Sequence, residues 1–323
     1  MGNRRFAIVM VMKTKVQQTK TLQWWFVLGL VGTLLAAPNA TAVRYGIEHT
    51  DPFLFNTLRF SLIGAITLPL LLIKIGKISK RSYRPALAAG FWMAVAVVAY
   101  VLAIKYSQAS YVATITLLTP IVFILYSARM NKESITNRAV AGITLAAVGA
   151  MIIVALPLAI HQQGEFIFYP VATGWALLNC LSFPLALIYM RRANEAGMSM
   201  VPMMCISSWV VVAVNALCFM AIGTGTIATI SNQALLGILY SGIVVALVAR
   251  IISVVTYEHI GSVVTSALAY LETFLAILIP VLVLNEQLSI EMVIGGILIL
   301  CGVYVVEHHK SKLHKHYHIF RLH

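Results

Sequence analysis

Apolar runs of about 20 residues recur along the whole chain, separated by short polar breaks. No other feature constrains the fold as tightly, because a helix of that length spans the ~30 Å hydrocarbon layer of a bilayer. Ten such runs can be drawn, over residues 22–43, 52–73, 85–104, 108–128, 137–156, 170–190, 199–222, 233–252, 262–284 and 288–306. Backbone amides in lipid must be satisfied within their own segment, so all ten are expected to be transmembrane helices of an all-α membrane protein. Composition agrees. Of 323 residues 60% are hydrophobic and only 10% charged, where a soluble domain carries roughly 25% charged residues. Soluble and single-span folds are excluded.

The formal net charge of +13 would suit nucleic acid, but the positions of the charges decide against it. Of 23 basic residues, all but Arg44, Arg59 and Lys105 fall in segments that share one side if the N-terminus is cytoplasmic. That asymmetry is the positive-inside signal for an even number of spans with both ends in the cytoplasm, and it suits anionic lipid head groups. Membrane lipids are thus an expected partner and nucleic acid is not. Cys180, Cys205, Cys218 and Cys301 all lie inside spans with no Cys-x-x-Cys pair, so they read as small packing residues. The run FAIVMVM at residues 6–12 is too short to span and lacks a small-residue cleavage site, and Met10 and Met12 are alternative starts.

Shifting the chain by 153 residues lays TITLLTPIVFILYSARMNKESI (114–135) over ALAYLETFLAILIPVLVLNEQL (267–288). Leu118 then matches Leu271, Ile124 matches Ile277, Leu125 matches Leu278 and Glu133 matches Glu286. The register continues through Gly142 and Gly295, Leu145 and Leu298, and Gly149 and Gly302. Each half holds five spans, an odd number, so the second half enters the membrane upside down. Two inverted five-helix repeats form the architecture of many secondary transporters, which expose one site to either side in turn. The expected organisation is an arm at 1–21, a first repeat at 22–156, a second at 170–306 and a basic tail at 307–323.

A Trp-rich first span, LRF in span two, LLTP in span four, YLET in span nine, and NKES and NEQL before spans five and ten resemble the drug/metabolite transporter superfamily, EamA type. The resemblance covers about residues 22–306. Span nine departs from the family pattern with Leu-Glu-Thr where Leu-Glu-Pro is common, whereas Pro120 keeps the proline in the first half. The resemblance implies a bundle whose central cavity is lined by spans one to four and six to nine, with spans five and ten outside. It also implies movement of amino acids, other metabolites or drug-like cations, often as export.

Arg59 and Glu272 are the strongly charged residues well inside spans, and each costs at least about 2.5 kcal/mol to insert, so each needs protein or water to face. Glu272 has small helical neighbours Thr265, Ala269 and Ala276. It can meet a substrate ammonium or carry a coupling proton, or it can tether helix nine to a neighbour. Arg59, which matches the family's span-two arginine, can grip a carboxylate or reach to the interface. Asn39 follows Pro38, and Asn179 precedes Pro184. Prolines in mid-span free a carbonyl, so Pro38, Pro120 and Pro184 are candidate hinges, while the two asparagines either bind solute or pair helices. Trp92, Tyr100, Trp209 and Tyr270 are candidates for an aromatic cavity wall suited to planar or cationic solutes. Trp175 reads as an interfacial anchor, as do Trp24 and Trp25.

Glu133 and Glu286, at span ends, are expected to shape the turn before the following helix. Gly142, Gly149, Gly295 and Gly302 are expected to let helices pack closely. The tail EHHKSKLHKHYHIFRLH reads as a solvated basic segment, since no His-and-acid cluster lies in the spans. No metal or cofactor is expected, and no phosphate-binding loop points to ATP. The spans contain no Asp and no mid-membrane His, which argues against an intramembrane enzyme. A lipid-handling protein such as a scramblase is the alternative to a secondary transporter of small solutes. Proton coupling and facilitated diffusion both fit, as do a monomer and a homodimer.

Overall fold

The computed structural model describes residues 23–131, 137–160, 169–224 and 230–313. Among these every long element is a helix. Helix α1 covers 23–36 and continues after a two-residue turn as α2, Asn39–Ile47. There follow α3 (Pro52–Lys74), a short 3₁₀ turn (Ile75–Lys77), α4 (Lys80–Lys105), α5 (Ala109–Thr116), α6 (Thr119–Asn131) and α7 (Asn137–Ile160). The second half holds α8 (Pro170–Glu195), α9 (Met200–Ile222), α10 (Asn232–Leu239), a π-helix (Tyr240–Ala249), α11 (Arg250–Leu284) and α12 (Ile290–Leu313). Among the described residues, seven helical stretches are long and apolar enough to cross a bilayer. Three shorter apolar helices, Val140–Ile153, Leu271–Leu284 and Ile290–Val305, bring the apolar segments to ten.

Two expected spans are interrupted. Span one breaks into α1 and α2 at Ala37–Pro38, and span four breaks into α5 and α6 just before Pro120. Pro184 and Pro280, by contrast, sit inside uninterrupted helices. The gap expected between spans eight and nine is absent from the backbone pattern, since α10, the π-helix and α11 follow one another without a break. Ile252 nonetheless lies against Gly32, while Glu272 shares a cavity with Ala36 and Asn39. A straight helix would separate Ile252 from Glu272 by about 30 Å at ~1.5 Å per residue. The chain therefore turns back on itself within α11.

In lipid, helices gain little from hiding apolar surface from one another, so close packing of small residues has to hold them. The interface of α4 with α8 follows that rule. Ala86, Ala89, Ala96, Ala99 and Ala103 of α4 and Ala172, Ala176, Ala186 and Ala193 of α8 are fully buried. Helices α7 and α12 meet through glycines: a Cβ on Gly149 would lie 2.6 Å from the Gly295 carbonyl oxygen, and one on Gly295 would lie 2.5 Å from that of Gly149. A Cβ on Gly302 would strike the Gly142 carbonyl in the same way. These are the four glycines paired by the repeat register, and their contacts obey its symmetry. If 142 corresponds to 295 and 149 to 302, the contact of 149 with 295 requires that of 302 with 142.

The same exchange runs through the bundle. Helix α4 packs on α8 and, correspondingly, α10 on α2; α4 packs on α9 and the π-helix on α3; α5 packs on α8 and α11 on α2. The pairs α3 with α9, α5 with α11, and α7 with α12 map onto themselves. Two inverted five-helix repeats related by a pseudo-two-fold axis account for all of these contacts.

Candidate functional site

A cavity of about 250 Å³ lies where the two broken spans meet α11. Pro38 lacks an N–H, so α1 cannot bond onward at that point. Its last turn closes with the Ala37 N–H donating to Thr33 O at 2.9 Å, and α2 restarts with Ala42 N–H donating to Pro38 O at 2.9 Å. The Tyr240 hydroxyl, from the π-helix, donates to Leu35 O at 3.0 Å, satisfying a carbonyl at the break. On the other side, α5 tightens as Leu117 and Leu118 donate to Thr114 O and Ile115 O at 3.3 and 3.0 Å. The Cys180 thiol also reaches Ile115 O at 3.5 Å.

Small side chains leave the space: Ala36, Ala37, Ala40, Ala113, Ala269 and Ala276 line the cavity. Its polar wall consists of Asn39, Tyr100, Thr116, Glu272 and Thr273, with Pro120, Leu117, Leu300 and Val303 completing it. The register that pairs Leu118 with Leu271 sets Thr119 and Pro120 against Glu272 and Thr273. Three of these four line the cavity, so equivalent stretches of the two repeats face each other across it. The lining differs from the family-based expectation. It draws on spans one, three, four, nine and ten, and span ten is not outside it. Helix α12 lies against α5 there, with Gly296 beside Thr114 and Leu117.

Arg59 stands behind this wall. It is 7% exposed, and its Nη2 donates to Asn39 Oδ1 at 3.3 Å. Asn39 and Tyr100 both line the cavity, so Asn39 joins the guanidinium to it. The guanidinium carbon lies 5.4 Å from the Phe60 ring centroid, and Nε has no hydrogen-bond partner among the described residues. Gly242 of the π-helix presses on the Arg59 backbone, where a Cβ would come within 3.2 Å of Arg59 O. Glu272 feels the charge of Arg250, a residue that the sequence reading places among the cytoplasmic basic residues. That neighbour is invisible in one dimension, because the turn within α11 creates it.

The remaining candidates are elsewhere. Asn179 is buried and donates from Nδ2 to Ala96 O at 2.8 Å, tying α8 to α4. Trp92 sits edge-on to Phe91 with centroids 5.6 Å apart, and Trp209 packs on Gly64 while 42% exposed. Neither is in the cavity lining. Pro184 lies within continuous α8. The Tyr270 and Thr265 side chains, Glu133, and the His-rich tail's side chains lie outside the described residues.

Two groups were not anticipated from sequence. Asn56 Nδ2 donates to Asn215 Oδ1 at 3.1 Å, and both residues are fully buried between α3 and α9. An asparagine in each of two apolar spans was the available signal. Glu286 does not simply shape its own turn. Its Oε1 and Oε2 accept from the N–H groups of Ala109 and Ser110, both at 2.8 Å, at the start of α5 in the other repeat.

Residues 23–155 and 171–307 each match the EamA-like transporter family. The chain belongs to that family. Membership makes it a multi-pass integral membrane protein of the transporter class, working in lipid on small-molecule solutes. No curated protein sequence matches it significantly. Among solved structures, one titled only as the crystal structure of a protein is similar at TM-score 0.56 and 20% identity. The match covers 91% of this chain and 99% of that one, and at this identity it speaks for the fold alone.

Proposed function

We propose that this EamA-like transporter is a secondary transporter exporting small organic metabolites such as amino acids. Alternating access at the interface of the two inverted repeats would expose the cavity to each side in turn. The observation that carries this reading is the cavity itself: equivalent segments of both repeats line it, small side chains leave room, and one carboxylate, Glu272, faces in. A solute ammonium would meet Glu272, and a solute carboxylate would compete with Asn39 for Arg59, whose guanidinium keeps an unused donor. Trp92, Trp209 and Tyr270 would join the site only in other conformations of the bundle, whereas Asn179 would hold α8 to α4 and not meet solute. Pro38, Pro120 and Pro184 would act as its hinges. The setting is a bacterial plasma membrane with both termini cytoplasmic, in line with the asymmetry of basic residues.

The test is uptake of labelled amino acids and organic cations by purified protein in liposomes, with and without a pH gradient, wild type beside Glu272→Gln. Wild type is expected to move a solute, and the variant to lose gradient dependence if Glu272 carries the coupling proton. Unchanged transport by a variant that melts earlier would make Glu272 a tether and remove it from the site.

A further inference from the structure

The chain leaves α11 through Asn285, whose φ of 53° is left-handed and turns the backbone sharply. Glu286 follows and reaches across to the other repeat, accepting the Ala109 and Ser110 N–H groups on its two oxygens. A carboxylate on two free amides at a helix start is a charge-assisted contact that the helix dipole also favours. The other end of the same α4–α5 turn carries the opposite charge. Arg44 Nη1, from α2, donates to Ile104 O at 2.7 Å and to Ser107 O at 2.8 Å, while its Nε pairs with Glu48 at 2.8 Å.

The starts of α4, α8 and α9 have no side-chain cap, and others are capped by the residue just before them. Asp51 does this for α3 and Ser231 for α10. Helix α5 has Gln108 at that position, and this side chain makes no cap bond. The cap comes instead from 177 residues away in the second repeat. Helix α5 is tied to that repeat again where the Tyr111 hydroxyl meets Thr173 Oγ1 at 2.6 Å. Ala113, which lines the cavity, is three residues past Ser110, about one helical turn.

A movement that separates the start of α5 from the turn between α11 and α12 must break this contact. We infer that Glu286 is a gate residue: its carboxylate latches the start of α5 and holds the cavity closed at this end of the bundle, and it must let go for the cavity to open there. The inference rests on the transport reading, since a molecule that never opened would need no latch.

The experiment uses full-length protein in liposomes carrying A113C, read as the labelling rate with a membrane-impermeant thiol reagent. The parent with its four native cysteines gives the background. Y106C, at an exposed position beside the latch, identifies the face from which the reagent must come. From that face E286Q, which keeps shape but loses charge and one acceptor, is expected to raise A113C labelling roughly tenfold. E286D, keeping the charge on a shorter arm, is expected to fall between and serves if E286Q does not fold. Unchanged labelling, with or without a lower melting temperature, would make Glu286 a static cap and overturn the inference. Labelling needs no solute, so faster labelling without transport leaves the gate standing and counts against the solute reading. Unchanged labelling with intact transport removes the gate alone.

Discussion

Asn39 and Asn179 look alike in the sequence, each beside a proline in an apolar span. The fold separates them: Asn39 faces the cavity and holds Arg59, while Asn179 spends its amide on Ala96 O at 2.8 Å. Asn179→Ala should therefore lower stability by about 1 kcal/mol, the scale of an interhelical hydrogen bond in lipid, with transport retained. Thermal melting in detergent beside liposome uptake checks this, and lost uptake at an unchanged melting temperature would instead put Asn179 against the solute. Glu272 was legible as a residue that needs a partner, because a carboxylate in an apolar span has no other way to stay. Its neighbour Arg250 was not legible, since the 21 intervening residues say nothing about where α11 turns. Tyr169, just ahead of α8, is held above the usual tyrosine range by burial first and by the nearby Glu286 charge second, with Arg44 opposing.

At the scale of elements, glycine position carries the argument. The seven-residue spacing of Gly142 and Gly149, repeated in Gly295 and Gly302, was readable as a packing stripe, and α7 and α12 use it so. Gly295→Ala would drive a methyl to 2.5 Å from the Gly149 carbonyl oxygen and into Ile153. Such overpacking should cost about 1–3 kcal/mol. Gly174→Ala, on α8 with nothing within 4 Å of the new methyl, should gain about 0.4–1 kcal/mol by restricting the unfolded chain. Paired melting curves decide it, and equal shifts for the two variants would refute the packing account. The prolines were less legible. Pro38 and Pro120 interrupt their helices, whereas Pro184 and Pro280 do not. At the first of these breaks the Tyr240 hydroxyl supplies a partner for Leu35 O from outside the helix.

For the whole molecule, inversion of the repeats makes a prediction about sides. Cysteines at Arg81 and Arg192, exposed within the first residues of α4 and the last residues of α8, should label from one face of the membrane, and a cysteine at Tyr106 from the opposite one. Labelling of all three from one face would break the inverted topology. The sequence by itself determined the solvent, the number of spans, the two-fold relation of the halves and which buried charges demand an explanation. These follow from run length, charge asymmetry and register, which are one-dimensional quantities that the bilayer converts directly into structure. Only the tertiary structure decided which polar groups share a cavity, which asparagine is a tether, and that Glu286 caps a helix in the other repeat. Those outcomes depend on how helices lean and turn against one another. In lipid that is set by close packing and by hydrogen bonds across more than a hundred residues, and no local pattern encodes it.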